Sequence, residues 1–220
     1  MSALKIDQAR FNMIEQQIRP WDVLDPQVLD ILASTPREAF VPDAHRALAF
    51  SDLEIPLDHD QQMMSPKLEG RVLQSLCINP QDTVLEIGTG SGYLTACLAR
   101  LGRSVLSVDL YSDFQHSTRE KLATQGIDNV EMQEQDAAEG WQGEQRFDVI
   151  AVTGSLPVLH EGFHRSLTIG GRLFLIVGQF PIMEAILVTR VGESQWSRES
   201  LLETSVRPLV HTEPPAKFVF

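Results

Sequence analysis

The segment Val84-Leu85-Glu86-Ile87-Gly88-Thr89-Gly90-Ser91-Gly92-Tyr93 joins an apolar run, an acidic residue and alternating glycines ahead of a helical pattern. Glycine lets a turn bring its backbone close to a ligand and adopt positive φ. The helix that follows presents free N–H donors and a partial positive charge. A dinucleotide loop would read GxGxxG, with a pyrophosphate on the helix start. Here the spacing is Gly88-x-Gly90-x-Gly92, and Glu86 stands just before it. A carboxylate is unfavourable beside a pyrophosphate but suits a cation. S-adenosyl-L-methionine, with its ammonium and sulfonium groups, fits that charge. The contacts expected of this stretch are Glu86, Gly88, Thr89, Gly90, Gly92, Tyr93 and Leu94.

Two further carboxylates follow in order. Asp109 closes Leu106-Ser107-Val108-Asp109, placed to accept hydrogen bonds from both hydroxyls of a ribose, with Leu110 next to it. Asp136, before Ala137, is placed to accept from an adenine amino group. Each ends a β-rich run, and ligands of open α/β sheets bind at that edge. A helix cap is the alternative role for Asp109.

These positions need a scaffold, and the sequence supplies one. Short β-rich runs at Thr83–Ile87, Ser104–Asp109, Val130–Glu134, Phe147–Thr153 and Gly171–Val177 alternate, in the first part, with helical patterns at Ser91–Leu101 and Asp113–Gln125. That predicts an α/β fold with a mostly parallel sheet and helices on both faces. Ala185–Arg190 and Trp196–Leu202 follow without a helix between them and predict antiparallel strands at the sheet's end. Residues 1–79 read as a helical segment and a loop, and 80–220 as the ligand-binding core. In the first segment Phe11, Ile14 and Ile18 share a helical face that Pro20 ends. Asp25 caps a helix opened by Pro26, with Val28, Leu29 and Leu32 inward. Asp43 to Met64 reads as a long loop of the kind that carries function. Another helix opens at Pro66, and Ser65 is its expected N-cap. Trp141 is expected to pack in the core near the adenine side.

The same residues resemble the protein-L-isoaspartate O-methyltransferases. The likeness runs from Phe11 to Leu209 through Met13–Arg19, Pro36-Arg37-Glu38-Ala39-Phe40-Val41-Pro42, Ile87–Tyr93, Phe147–Thr153 and Gly170–Gly178. The resemblance implies the Rossmann-like, doubly wound sheet of class I methyltransferases. It implies S-adenosyl-L-methionine as cofactor, and protein or peptide partners in which a damaged, isoaspartyl residue has its α-carboxylate methylated. It also points to a substrate loop containing His59, Gln61 and Met64, with Thr153 facing it. The chain departs from the family here. Asp60-Gln61-Gln62-Met63-Met64-Ser65-Pro66 puts Met64 where the family carries its active-site serine, so Ser65, one position later, is a candidate catalytic residue as well as a cap. Met63, Met64, Phe50 and Leu156 would make an apolar acceptor pocket. An acceptor other than isoaspartate, or cofactor binding without transfer, therefore stays open.

Bulk properties set the outer limits. A chain of 220 residues with 43% hydrophobic and 22% charged residues reads as one globular unit. A formal charge of −12 and the lack of a basic stripe argue against nucleic acid as partner. Cys77 and Cys97 lack metal-ligand or disulfide spacing, so no metal is expected and both read as buried thiols. No run has signal-peptide or membrane-spanning character, which gives a cytoplasmic location as the expectation and no membrane partner. Oligomeric state is not legible.

Overall fold

In the computed structural model, residues 3–212 are described. A seven-stranded sheet has the order β5-β4-β3-β6-β7-β8-β9. Its strands are β3 (Thr83–Ile87), β4 (Ser104–Asp109), β5 (Val130–Glu134), β6 (Phe147–Leu156), β7 (Leu167–Gln179), β8 (Ile182–Gly192) and β9 (Gln195–Thr204). Pairs from β5 through β7 are parallel, and β7–β8 and β8–β9 are antiparallel. The chain moves outward from β3 to β5, then returns across β3 to add β6. The carboxyl ends of β3 and β6 thus flank a switch point, where an open α/β sheet binds its ligand.

The helices are α1 (Ala3–Met13), α2 (Pro26–Ser34), α3 (Pro66–Leu76), α4 (Tyr93–Leu101) and α5 (Ser112–Thr124). Side chains from α1 to α4, with Leu122 of α5, share one apolar cluster with Val84, Val149 and Phe174 on one side of the sheet. On the other side Leu85, Ile87, Ile150 and Leu173 pack with Phe163, Ala137 and Trp141 from the connecting segments. A short two-stranded hairpin, β1 (Ile55–Pro56) with β2 (Gln62–Met63), lies within the stretch expected to be plain loop.

Some local expectations need correction. After α1 the chain widens into a π-type turn over Ile14–Ile18 and a 3-10 turn, Arg19–Trp21, that accommodates Pro20 in its first positions. Ile14 and Ile18 are buried, but Phe11 is 58% exposed. The altered winding ends the simple three-and-four spacing on which its inward placement rested. Asp25 caps α2 as expected, its Oδ1 accepting from Gln27 and Val28 N–H. Cys97 is buried, whereas Cys77 is exposed. Cys77 holds the left-handed position (φ 44°) that terminates α3, which turns it out of the helix's buried face. Residues 213–220 of the C-terminal tail lie outside the described residues.

Candidate active site

The glycine loop leaves the end of β3 with Gly88, Gly90 and Gly92 all at positive φ. A Cβ on Gly88 would collide with Thr153 Oγ1. That hydroxyl donates to the carbonyls of Ile87 and Gly88 at 3.0 and 2.9 Å, tying β3 to β6. Lys121 Nζ of α5 ties the loop from its other side, donating to the Ser91 and Phe40 carbonyls at 3.1 and 3.3 Å. Burial holds that ammonium below its ordinary pKa.

Asp109 stands at the end of β4. Its Oδ2 accepts from Gly90 N–H at 3.0 Å and its Oδ1 from Tyr111 N–H at 2.9 Å. Burial raises its pKa against the opposing pull of these backbone donors. A carboxylate has about four lone-pair directions, so acceptor capacity remains. Asp136 accepts from Ala138 N–H at 3.0 Å and pairs with His211 Nδ1 at 2.6 Å. Those contacts, the backbone bond first, hold its pKa below the ordinary carboxylate value.

These groups open on one cleft enclosing about 810 Å³ of empty space, its mouth included. Its wall along the strand ends contains Gly88, Gly90, Asp109, Leu110, Asp136 and Ala137, with Phe114 adding an aromatic surface. Gln61, Met63 and Met64 line the cleft from the hairpin region, Thr153 borders the glycine loop, and Val206–Val210 closes it. Pairing with the end of β6 fixes that last segment: Ser155 N–H donates to the Arg207 carbonyl and Leu209 N–H to the Ser155 carbonyl, both at 2.9 Å.

Five residues expected against the cofactor lie behind the wall. Glu86 is fully buried. Side chains alternate along a strand, so Glu86 follows Val84 toward α4, while Ile87 reaches the cleft. Its Oε2 accepts from Thr95 and Ser107 hydroxyls, both at 2.6 Å, and Oε1 has no partner. Burial pushes the carboxyl up to about 8, against these hydrogen bonds. Thr89 joins the same network through Ser107 Oγ at 2.6 Å. Gly92 packs on Thr118. Tyr93 and Leu94, in the first turn of α4, point into the core, the Tyr93 ring lying edge-on to Phe40.

On the acceptor side, His59 sits at the rim rather than in the wall. Its ring stacks on Tyr111 with centroids 3.9 Å apart, and Nε2 meets Asp113 Oδ2 at 2.9 Å. Ser65 holds the N-cap position of α3, but its hydroxyl makes no capping bond and it is not on the cleft wall. Phe50 and Leu156 also lie away from the cleft; Leu156 is in the core under the sheet and Phe50 packs beneath the Arg10 guanidinium. Trp141 meets Phe147 edge-on, outside the cleft.

Sequence reasoning missed Arg37 as an organiser. It is fully buried, donating to Glu69 at 3.0 Å, to the Ala49 carbonyl at 2.7 Å and to the Met64 carbonyl at 2.6 Å. An arginine inside the apolar-rich signature Pro36–Pro42 was the available signal. The C-terminal wall left none.

The fit to S-adenosyl-L-methionine rests on this geometry: a glycine turn at positive φ leaving β3, two carboxylates at successive strand ends, and apolar surfaces between them. A parallel sheet with antiparallel final strands and such a cleft defines the methyltransferase class of α/β proteins. The structure of a Plasmodium falciparum protein assigned as a protein-L-isoaspartate O-methyltransferase, in complex with S-adenosyl-L-homocysteine, superposes with a TM-score of 0.78. It has 17% identity and covers 93% of this chain and 97% of that one. The Protein-L-isoaspartate(D-aspartate) O-methyltransferase family model matches residues 8–213, and the chain belongs to this family. Protein-L-isoaspartate O-methyltransferase 2 of Pelobacter propionicus is 36% identical over 202 residues, 91% of this chain and 90% of that protein. The Rhodopseudomonas palustris protein-L-isoaspartate O-methyltransferase is 35% identical, covering 91% and 93%. The chain is accordingly an S-adenosylmethionine-dependent methyltransferase. Among the described residues, no helix is long and apolar enough to cross a membrane and no cluster fit to hold a metal occurs.

Proposed function

We propose that the protein methylates the α-carboxylate of L-isoaspartyl residues in peptides or damaged proteins. The observation that carries this reading is the continuity of one cleft, from Asp109 and Asp136 to the hairpin residues Gln61 and Met64, in a chain matched to the family over nearly its whole length. Asp109 is positioned for the ribose hydroxyls, and Asp136 with Ala137 for the adenine. Gly88 and Gly90 admit the methionine portion. The cofactor, when bound, supplies an electrophilic methyl group on a sulfonium.

The protein's task is then mainly positional. A carboxylate acceptor is already ionised at neutral pH and needs no general base. It must be desolvated and aligned with the methyl carbon. Thr153 and the Met64 side of the cleft border the space for that alignment. Ser65 is not on that wall, so this reading gives it no part in the chemistry. A cytoplasmic setting accords with the two free cysteines.

Incubation with labelled cofactor and an isoaspartyl peptide is expected to give a base-labile methyl ester. Turnover no greater than with the matched aspartyl peptide would defeat the reading. Met63 and Met64 on the wall favour a second reading, an acceptor less polar than isoaspartate. Met64→Ser separates the two: a large gain in isoaspartyl turnover supports the second, and unchanged or lower turnover supports the first.

A further inference from the structure

We propose that Arg207 is the cation that receives the acceptor's carboxylate, and that Asp60 occupies it as an internal carboxylate until the acceptor exchanges in. The proposal rests on the isoaspartyl reading above and names its specificity determinant.

Among the described residues, Arg207 is the one basic side chain on the cleft wall, which also carries Glu54, Asp109 and Asp136. Asp109 and Asp136 are engaged at the sheet edge by backbone N–H groups and by His211. Arg207 instead faces the hairpin. Its Nη1 and Nη2 donate to Asp60 Oδ2 and Oδ1 at 2.7 and 3.0 Å. This two-pronged arrangement is the one a guanidinium offers any carboxylate.

Three features suit the pair to exchange. The side chains are 43% and 83% exposed, so water competes for both and the pair holds weakly. Asp60 sits at φ 57° next to His59 at φ 56°, a conformation that glycine takes freely and a side chain takes under strain. The turn would therefore form more easily without the side chain that reaches Arg207. The backbone of Arg207, by contrast, is fixed on both sides through Ser155. A rigid base thus carries a solvated fork whose present partner is replaceable. Glu54 shares the wall with Arg207, and burial holds its carboxyl above the ordinary value against the pull of that guanidinium.

The test uses calorimetric titration of an isoaspartyl peptide, and of the same peptide with that α-carboxyl amidated, onto the protein saturated with S-adenosyl-L-homocysteine. The wild type is expected to bind the acid about three- to fivefold more tightly than the amide. Arg207→Gln should erase that preference, and Arg207→Lys should restore part of it. Asp60→Asn should tighten binding of the acid several-fold and leave the amide unchanged. Equal preference in wild type and Arg207→Gln, no preference in the wild type, or no gain in Asp60→Asn overturns the proposal. S-adenosyl-L-homocysteine affinity reports folding of each variant, and Asp60→Asn decides the matter if Arg207→Gln does not fold. Ester formation is scored separately. A wild type that binds the acid through Arg207 yet forms no ester defeats the transferase reading alone.

Discussion

A carboxyl group sealed inside a protein keeps its proton unless enough donors stabilise the charge, and Glu86 receives only two hydroxyl hydrogen bonds. Its pKa of about 8, raised from 4.5, means the folded state binds this proton more tightly than the unfolded chain. The associated stability is full below about pH 4.5 and is lost as pH rises through 8. Glu86→Gln removes the titration while keeping the shape. Its melting temperature should therefore fall less than the wild type's between pH 5 and 8.5; parallel curves from thermal melts would refute this. Asp109 makes the opposite contrast, since it lines the cleft with acceptor capacity to spare. Asp109→Asn should weaken S-adenosyl-L-homocysteine binding by about one to two orders of magnitude, read by calorimetry, because a hydrogen bond to a charged group is worth roughly 1.5–3 kcal/mol. Both carboxylates were visible in the sequence. What was not visible is that Glu86 lies behind the loop, because the face a strand side chain takes depends on which side receives the helix.

At the level of elements, Arg37 and Glu69 join α3 to the segment before the hairpin and brace the Met64 carbonyl. Burial pushes Glu69 up to about 7, while the neighbouring guanidinium pulls it down. Arg37→Met would leave that carboxylate and two carbonyls without their partner. A loss of about 3–5 kcal/mol in denaturant titrations is expected, as for a buried ion pair stripped of one member. Asp25→Ala, by comparison, removes a surface N-cap and should cost about 1 kcal/mol. The long elements were legible because hydrophobic periodicity and proline or glycine punctuation act locally. Two-residue strands carry no period, so the β1–β2 hairpin was not; backbone bonds from Leu57 N–H to the Gln61 carbonyl at 2.9 Å and from Gln61 N–H to the Asp58 carbonyl at 3.0 Å help to close it. Cys77 was misplaced for a related reason: it continues an apolar run but occupies the residue where the helix stops.

For the whole molecule, legibility divides along sequence separation. The cofactor side is built from strand ends and the turns beside them, within reach of a motif. The remaining walls depend on contacts such as Asp60 with Arg207, 147 residues apart, and Asp136 with His211, 75 apart. Nothing in a single sequence announces such pairs. A ligand bridging these parts should stabilise the whole fold, by about 2.7 kcal/mol at a concentration one hundred times its Kd. A rise in melting temperature with S-adenosyl-L-homocysteine, absent with NAD, checks this. The segment Val206–Val210, which pairs with the end of β6, also makes closing of the cleft a step separable from assembly of the sheet. All seven strands of the sheet precede it, so the sheet can form while the cleft still lacks its last wall. A chain stopped at Thr204 should show the far-ultraviolet spectrum of the full protein yet fail to retain the cofactor product. Retention of the ligand would then rest on a segment that the sheet itself does not need.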